Sequence, residues 1–115
     1  MATKTKNTKG DIEQDYIKIV LEDYRLAVVS REASLMGRKE VLTGKAKFGI
    51  FGDGKELAQV AMSKNFDKGD FRSGYYRDQT LMLAKELITV QQFYAQLYAD
   101  SQPGADPCSN GRQMN

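Results

Sequence analysis

Histidine is absent from the 115 residues. Within this chain that excludes a histidine general base, a Ser-His or Cys-His nucleophile pair and an imidazole metal ligand. Cysteine occurs once, at Cys108, so no internal disulfide and no thiolate metal cluster can form, and a reducing compartment is the simplest home. No strictly apolar run exceeds the four residues of Leu26–Val29, far short of the roughly 20 that cross a bilayer. The polar, basic start at residues 1–10 has no apolar stretch after it and does not read as a secretory signal. These scarcities predict a cytoplasmic chain without a membrane partner.

Charge of one sign is also lacking. Lysine and arginine number 17 against 15 acids, a formal net charge of +2. Lys4, Lys6 and Lys9 precede every acid, so residues 11–115 carry 14 basic groups against 15 acidic ones. A nearly neutral body argues against nucleic-acid binding, which needs a basic face. Hydrophobic residues at 41% are enough for one modest core. Residues 1–10 are expected to be a disordered basic tail, with folded structure from residue 11 onward.

The strongest periodicity follows Gly10. Ile17, Val20, Leu21, Tyr24, Ala27, Val28 and Leu35 repeat every three or four positions, and Ile12, Tyr16, Ile19 and Leu26 widen that face. Asp11 and Gln14 form a capping-box pattern at its start, and Gly37 is the first possible stop. A helix of roughly 25 residues is nearly 40 Å long, more than the rest of the chain can cover. Residues 45–51 alternate as a short extended segment before the Gly52-Asp53-Gly54 turn. Short helices are predicted over 55–62, over 78–87 and after the Thr89–Gln92 capping box. Tyr75–Asp78 is a strand end or loop. Pro103 and Pro107 mark 101–110 as a loop. The fold class is mainly α with one or two short extended segments.

Two stretches invite a chemical reading. Gly49–Gly54 is rich in glycine but lacks the Gly-Lys-Ser/Thr ending of a phosphate loop. Gly52-Asp53-Gly54 has the form of a thiamine diphosphate metal motif, yet Asn65 follows too soon, so a turn is the better account. Tyr75-Tyr76-Arg77-Asp78-Gln79 says more. An arginine where an irregular segment meets a helix offers a planar fork of donors to a phosphate or carboxylate. The competing account is a structural ion pair between Arg77 and a nearby acid, with the tyrosines packing beside it.

The order of motifs resembles the alpha chain of the thiamine-diphosphate-dependent 2-oxo-acid dehydrogenases, the decarboxylating components of large dehydrogenase complexes. The long helix with Tyr24-Arg25 and Arg31-Glu32 is similar to the opening helix of that family. Gly54-Lys55-Glu56-Leu57-Ala58 stands where the family has Gly-Gln-Glu-Ala, with Lys55 for glutamine. Lys68-Gly69-Asp70-Phe71 matches a Pro-Gly-Asp turn, with Lys68 for proline. Tyr76-Arg77-Asp78 matches its Tyr-Arg motif. Gly111-Arg112-Gln113-Met114 resembles the segment before an active-site histidine in the branched-chain members. The likeness runs from about residue 11 to the end.

The resemblance implies a parent α/β thiamine-diphosphate-binding fold and an amino-terminal fragment of an enzyme. That enzyme would decarboxylate branched-chain 2-oxo acids, with pyruvate open, and pass the acyl group to a lipoyl carrier. Tyr76 and Arg77 inherit the role of holding the cofactor diphosphate; no catalytic residue and no Mg2+ ligand is carried over, the latter lying outside the chain. The implied partners are a beta chain or fused beta half and the lipoyl acyltransferase of the complex. The alternative is a small helical protein-interaction module without catalysis. The over-long helix and the missing sheet predict that the 115-residue chain alone exposes apolar surface and self-associates or partly unfolds, binding a dye for such surface. A sharp melt of a monomer that binds no such dye would contradict this.

Overall fold

The computed structural model describes residues 8–112. Its helices are α1 (Lys9–Leu42), α2 (Glu56–Ser63), α3 (Gln79–Ala84) and α4 (Val90–Leu97). No described helix is long and apolar enough to cross a membrane.

Helix α1 begins one turn earlier than the sequence pattern predicts. Thr8 is the N-cap: its hydroxyl accepts from the Asp11 N–H, and the Asp11 carboxylate accepts from the Thr8 N–H at 3.0 Å. Asp11 is therefore the answering acid of a capping box, not its first member. Lys9 and Gly10, expected in the tail, lie in the first turn; Met1–Asn7 lie outside the described residues. The helix also runs through Gly37 to Leu42, where Thr43 and Gly44 (φ +77°) end it.

Gly37 has a packing role. A Cβ built on it would stand 2.5 Å from the Phe51 ring, so only glycine lets that ring lie against the helix. Along α1 the residues removed from solvent are Ser30, Ala33, Ser34 and Gly37, a face of small side chains. The predicted apolar stripe is elsewhere. Ile17, Leu21, Tyr24, Val28 and Leu35 remain exposed, and Lys9–Glu22 have no buried residue among them. The core lies at the other end, where Ala33, Ala46, Phe51, Phe93 and Leu97 cluster with Val41, Ile88 and Tyr94 packed on them. The Phe51 and Phe93 rings meet edge to face, centroids 6.2 Å apart.

The protruding helix makes the molecule long. It measures 57 × 28 × 23 Å with a radius of gyration of 17.4 Å, against about 13 Å for a compact domain of this length.

The shorter elements follow the sequence closely. Thr89 and Gln92 close a capping box in front of α4, as predicted. Helix α2 starts one residue late, and α3 is shorter than predicted because Glu86 turns into a left-handed conformation (φ 55°). The extended segments are corrected. Among the described residues no strand forms, and 48–52 runs as irregular chain because no second segment lies alongside to share a hydrogen-bond ladder.

Gly37→Ala should destabilise the fold by about 1–3 kcal/mol through overpacking against Phe51. Urea denaturation would register this as a lower midpoint with an unchanged slope.

Candidate functional site

The segment that carries Tyr76 and Arg77 is held by its main chain. The Gln59 side chain reaches from α2, its Nε2 donating to the Arg77 carbonyl at 2.8 Å and its Oε1 accepting from the Leu81 N–H at 3.0 Å. Gly52 lies against the same carbonyl; a Cβ there would stand 2.6 Å from the Arg77 oxygen. Gln79, the first residue of α3, donates from Nε2 to Ser34 Oγ at 2.5 Å and to the Ser30 carbonyl at 3.0 Å. Its Oε1 accepts weakly from the Gly52 N–H at 3.4 Å. Ser30 and Thr80 share a further buried hydroxyl contact at 2.6 Å.

The acids near this segment are already engaged by other arginines. Asp78 accepts from the Arg72 guanidinium and from the Tyr75 N–H. Glu56, almost fully buried, takes a two-point contact from Arg31, Nε at 2.7 Å and Nη2 at 3.1 Å, and a third bond from the Gly54 N–H at 2.9 Å. The Arg31 contact leads in holding the Glu56 carboxyl below its ordinary 4.5, against the opposing effect of burial. Asp53 accepts both bonds of Arg38 Nη2, at 2.6 and 2.8 Å.

Arg77 makes no ion pair with any described acid. Its Nε is buried without a hydrogen-bond partner, a state that costs about 1–3 kcal/mol for a polar group. The guanidinium carbon lies 5.7 Å from the centre of the Tyr76 ring, a cation–π distance. Arg77 borders a cavity of about 360 Å³ whose charged lining is Arg38, Asp53 and Arg77, with Gly49, Ile50 and Phe51 beside them. Two guanidiniums and one carboxylate leave that lining net positive. The N–H groups of Gly49, Ile50 and Phe51 donate to no described residue.

Tyr76 stands on the other side of its neighbour. It borders a second cavity of about 130 Å³ with Tyr75, Gln79, Phe93 and Cys108. The Tyr75 and Tyr76 rings are 4.4 Å apart, and hydrogen bonding to Tyr75 raises the Tyr76 hydroxyl above its usual range. That phenol stays protonated at neutral pH and can donate. The predicted pair is thus adjacent in space, but its members face different cavities.

At the far end of the chain, burial tends to raise the Asp106 carboxyl, but donation from the Gly111 and Cys108 N–H groups and the Ser109 hydroxyl outweighs it and holds the group low. These bonds shape the loop that leads to Arg112, which is exposed; Gln113 and Met114 lie outside the described residues.

Sequence reasoning missed Arg38, Asp53, Gln59 and Gln79. For Gln59 a signal existed: it lies three residues after Glu56 and four before Ser63, on the same buried side of α2 as Val60, and a polar residue in such a stripe needs a partner.

Glu56 also makes stability depend on pH. Because its folded pKa is depressed, its contribution is complete above the unfolded value of 4.5 and is lost as pH falls below it through the folded value. Glu56→Gln should cost about 1–3 kcal/mol at pH 7 and flatten the acid limb below pH 4.5. Denaturant melts at several pH values would measure both.

No family model, curated protein or solved structure matches the chain.

Proposed function

We propose that this chain is the amino-terminal segment of the alpha chain of a thiamine-diphosphate-dependent 2-oxo-acid dehydrogenase, and that it contributes Tyr76 and Arg77 to the cofactor diphosphate site. The observation that carries the reading is Arg77, whose carbonyl is held by Gln59 and whose side chain borders a net-positive cavity and makes no ion pair with any described acid, Asp53 on the same cavity being taken by Arg38. An anion in the cavity would meet the part of the half-buried Arg77 side chain that borders it, while Nε itself is sealed from solvent. Arginine keeps its charge at any working pH, and the Tyr76 ring lies beside the guanidinium, 5.7 Å from its carbon, while the phenol faces the second cavity. The residues present therefore fit a diphosphate.

In this reading the parent fold is α/β and the Mg2+ ligands lie outside these residues. The bound cofactor supplies the carbanion chemistry of decarboxylating a branched-chain 2-oxo acid, or pyruvate. The chain's own task is to bind and orient, and acyl transfer to the lipoyl acyltransferase and assembly with a beta half belong to the complex. The expected compartment is the cytoplasm. A second reading, an interaction module without chemistry, draws on the exposed Ile17, Leu21, Tyr24, Val28 and Leu35 on α1, a four-and-three spacing suited to burial against another helix.

In the enzyme assembled with its beta half, Arg77→Ala should weaken thiamine diphosphate binding about 10- to 150-fold, corresponding to about 1.5–3 kcal/mol for a charge-assisted contact. An unchanged dissociation constant by calorimetry overturns the role of Arg77. A reading frame continuing past Asn115 into a histidine and a Gly-Asp-Gly…Asn motif favours the enzyme over the module.

A further inference from the structure

Arg77 shares its cavity with a second arginine that is already occupied. Arg38, on the last turns of α1, donates through Nη2 to both oxygens of Asp53, and these are the cavity's other charged walls. Asp53 sits in the turn between Gly52 and Gly54, and Gly52 lies against the Arg77 carbonyl. One short turn thus holds the acid that neutralises Arg38 and abuts the residue whose guanidinium stays unneutralised. The Arg38 side chain is half exposed, at 51%, and that of Asp53 is 21% exposed. Solvent reaches this pair, and such pairs hold by only about 0.2–1 kcal/mol. A multiply charged anion offers an arginine a stronger acceptor than a single carboxylate does.

We propose that Asp53 is an internal competitor for the anion: it holds Arg38 in the ligand-free chain, and a diphosphate group displaces it, so that Arg38 and Arg77 grip one ligand from two walls of the cavity. This rests on reading Arg77 as an anion-binding residue. The ion pair then acts as a selectivity device. A singly charged carboxylate gains nothing by replacing Asp53 with its equivalent, whereas a diphosphate spans both guanidiniums and leaves Asp53 to water. Discrimination between the two ligands comes from the competing charge, which a pair of free arginines would not provide.

Calorimetric titration of the enzyme assembled with its beta half tests this, with inorganic diphosphate and thiamine diphosphate as parallel ligands and acetate as the monoanion. Asp53→Asn should tighten diphosphate binding by up to about 5-fold, since the competing pair no longer has to break, and should let acetate bind. Arg38→Gln should weaken diphosphate binding, and adding Asp53→Asn to it should then change nothing. The double variant separates competition for Arg38 from simple removal of a negative charge, which would help binding in both backgrounds. Unaltered affinity in Asp53→Asn, or an equal gain with and without Arg38, overturns the exchange. If Arg77→Gln abolishes binding while Arg38 and Asp53 variants match the wild type, the Arg77 reading stands and the exchange falls. Binding of inorganic diphosphate alone keeps the exchange and overturns the cofactor assignment. No binding of either ligand to wild type or Asp53→Asn overturns both. Matching thermal melts by circular dichroism would establish that all variants are folded.

Discussion

The carboxamide of Gln79 joins α3, on which it stands, to α1 and to the turn beyond Phe51. Its NH2 group donates to Ser34 and Ser30 on α1, and its oxygen faces the Gly52 N–H in the turn beyond Phe51. Because the buried face of α1 is made of small residues, dispersion alone gives it little grip. Buried amides and hydroxyls are stabilising only when each finds its partner, and this set does: Ser30 with Thr80, Ser34 with the Ser30 carbonyl, Gln59 with Arg77 and Leu81. The approach of α3 to α1, and with it the direction in which the 75–78 segment leaves α3, follows from that matching.

Charge is then distributed around a fixed frame. Arg31, Arg38 and Arg72 each find a carboxylate, on α2, in the Gly52–Gly54 turn and at the start of α3. Arg77 does not, although its carbonyl accepts from Gln59 and lies against Gly52. A rigid base under an uncommitted guanidinium is the arrangement that lets an anion bind without first ordering its receptor.

The elements legible in the sequence were those whose signals are local. The Thr89–Gln92 cap, the turn at Gly54 and the short helix after it each depend on a few neighbouring residues. The helix over 9–42 was legible as a helix, but the face it would bury was not. Periodicity marks where apolar side chains lie, and on α1 the described residues cover the small-residue side instead. Gly37 reads as the first possible stop because glycine often ends helices, with the family resemblance implying a helix that runs a little past it, while its role depends on Phe51, fourteen positions away. At the site, Tyr76 and Arg77 drew notice as a motif. Asp53 stands in a Gly-Asp-Gly pattern weighed as a metal motif and assigned to a turn, and its pairing with Arg38 is not legible because that partner lies on a different element.

The notch at Gly37 also fixes α1 along its own axis, since no larger residue of the helix could accept the Phe51 ring at that distance. From there to Lys9 is about 42 Å of helix at 1.5 Å per residue, and its outer fourteen residues, Lys9–Glu22, touch nothing that buries them. The gripped part of the helix runs from the Asp23–Lys64 ion pair to Leu42, and the free arm is about 21 Å long. A bend of about 10° where that grip ends would sweep the distal tip through about 4 Å.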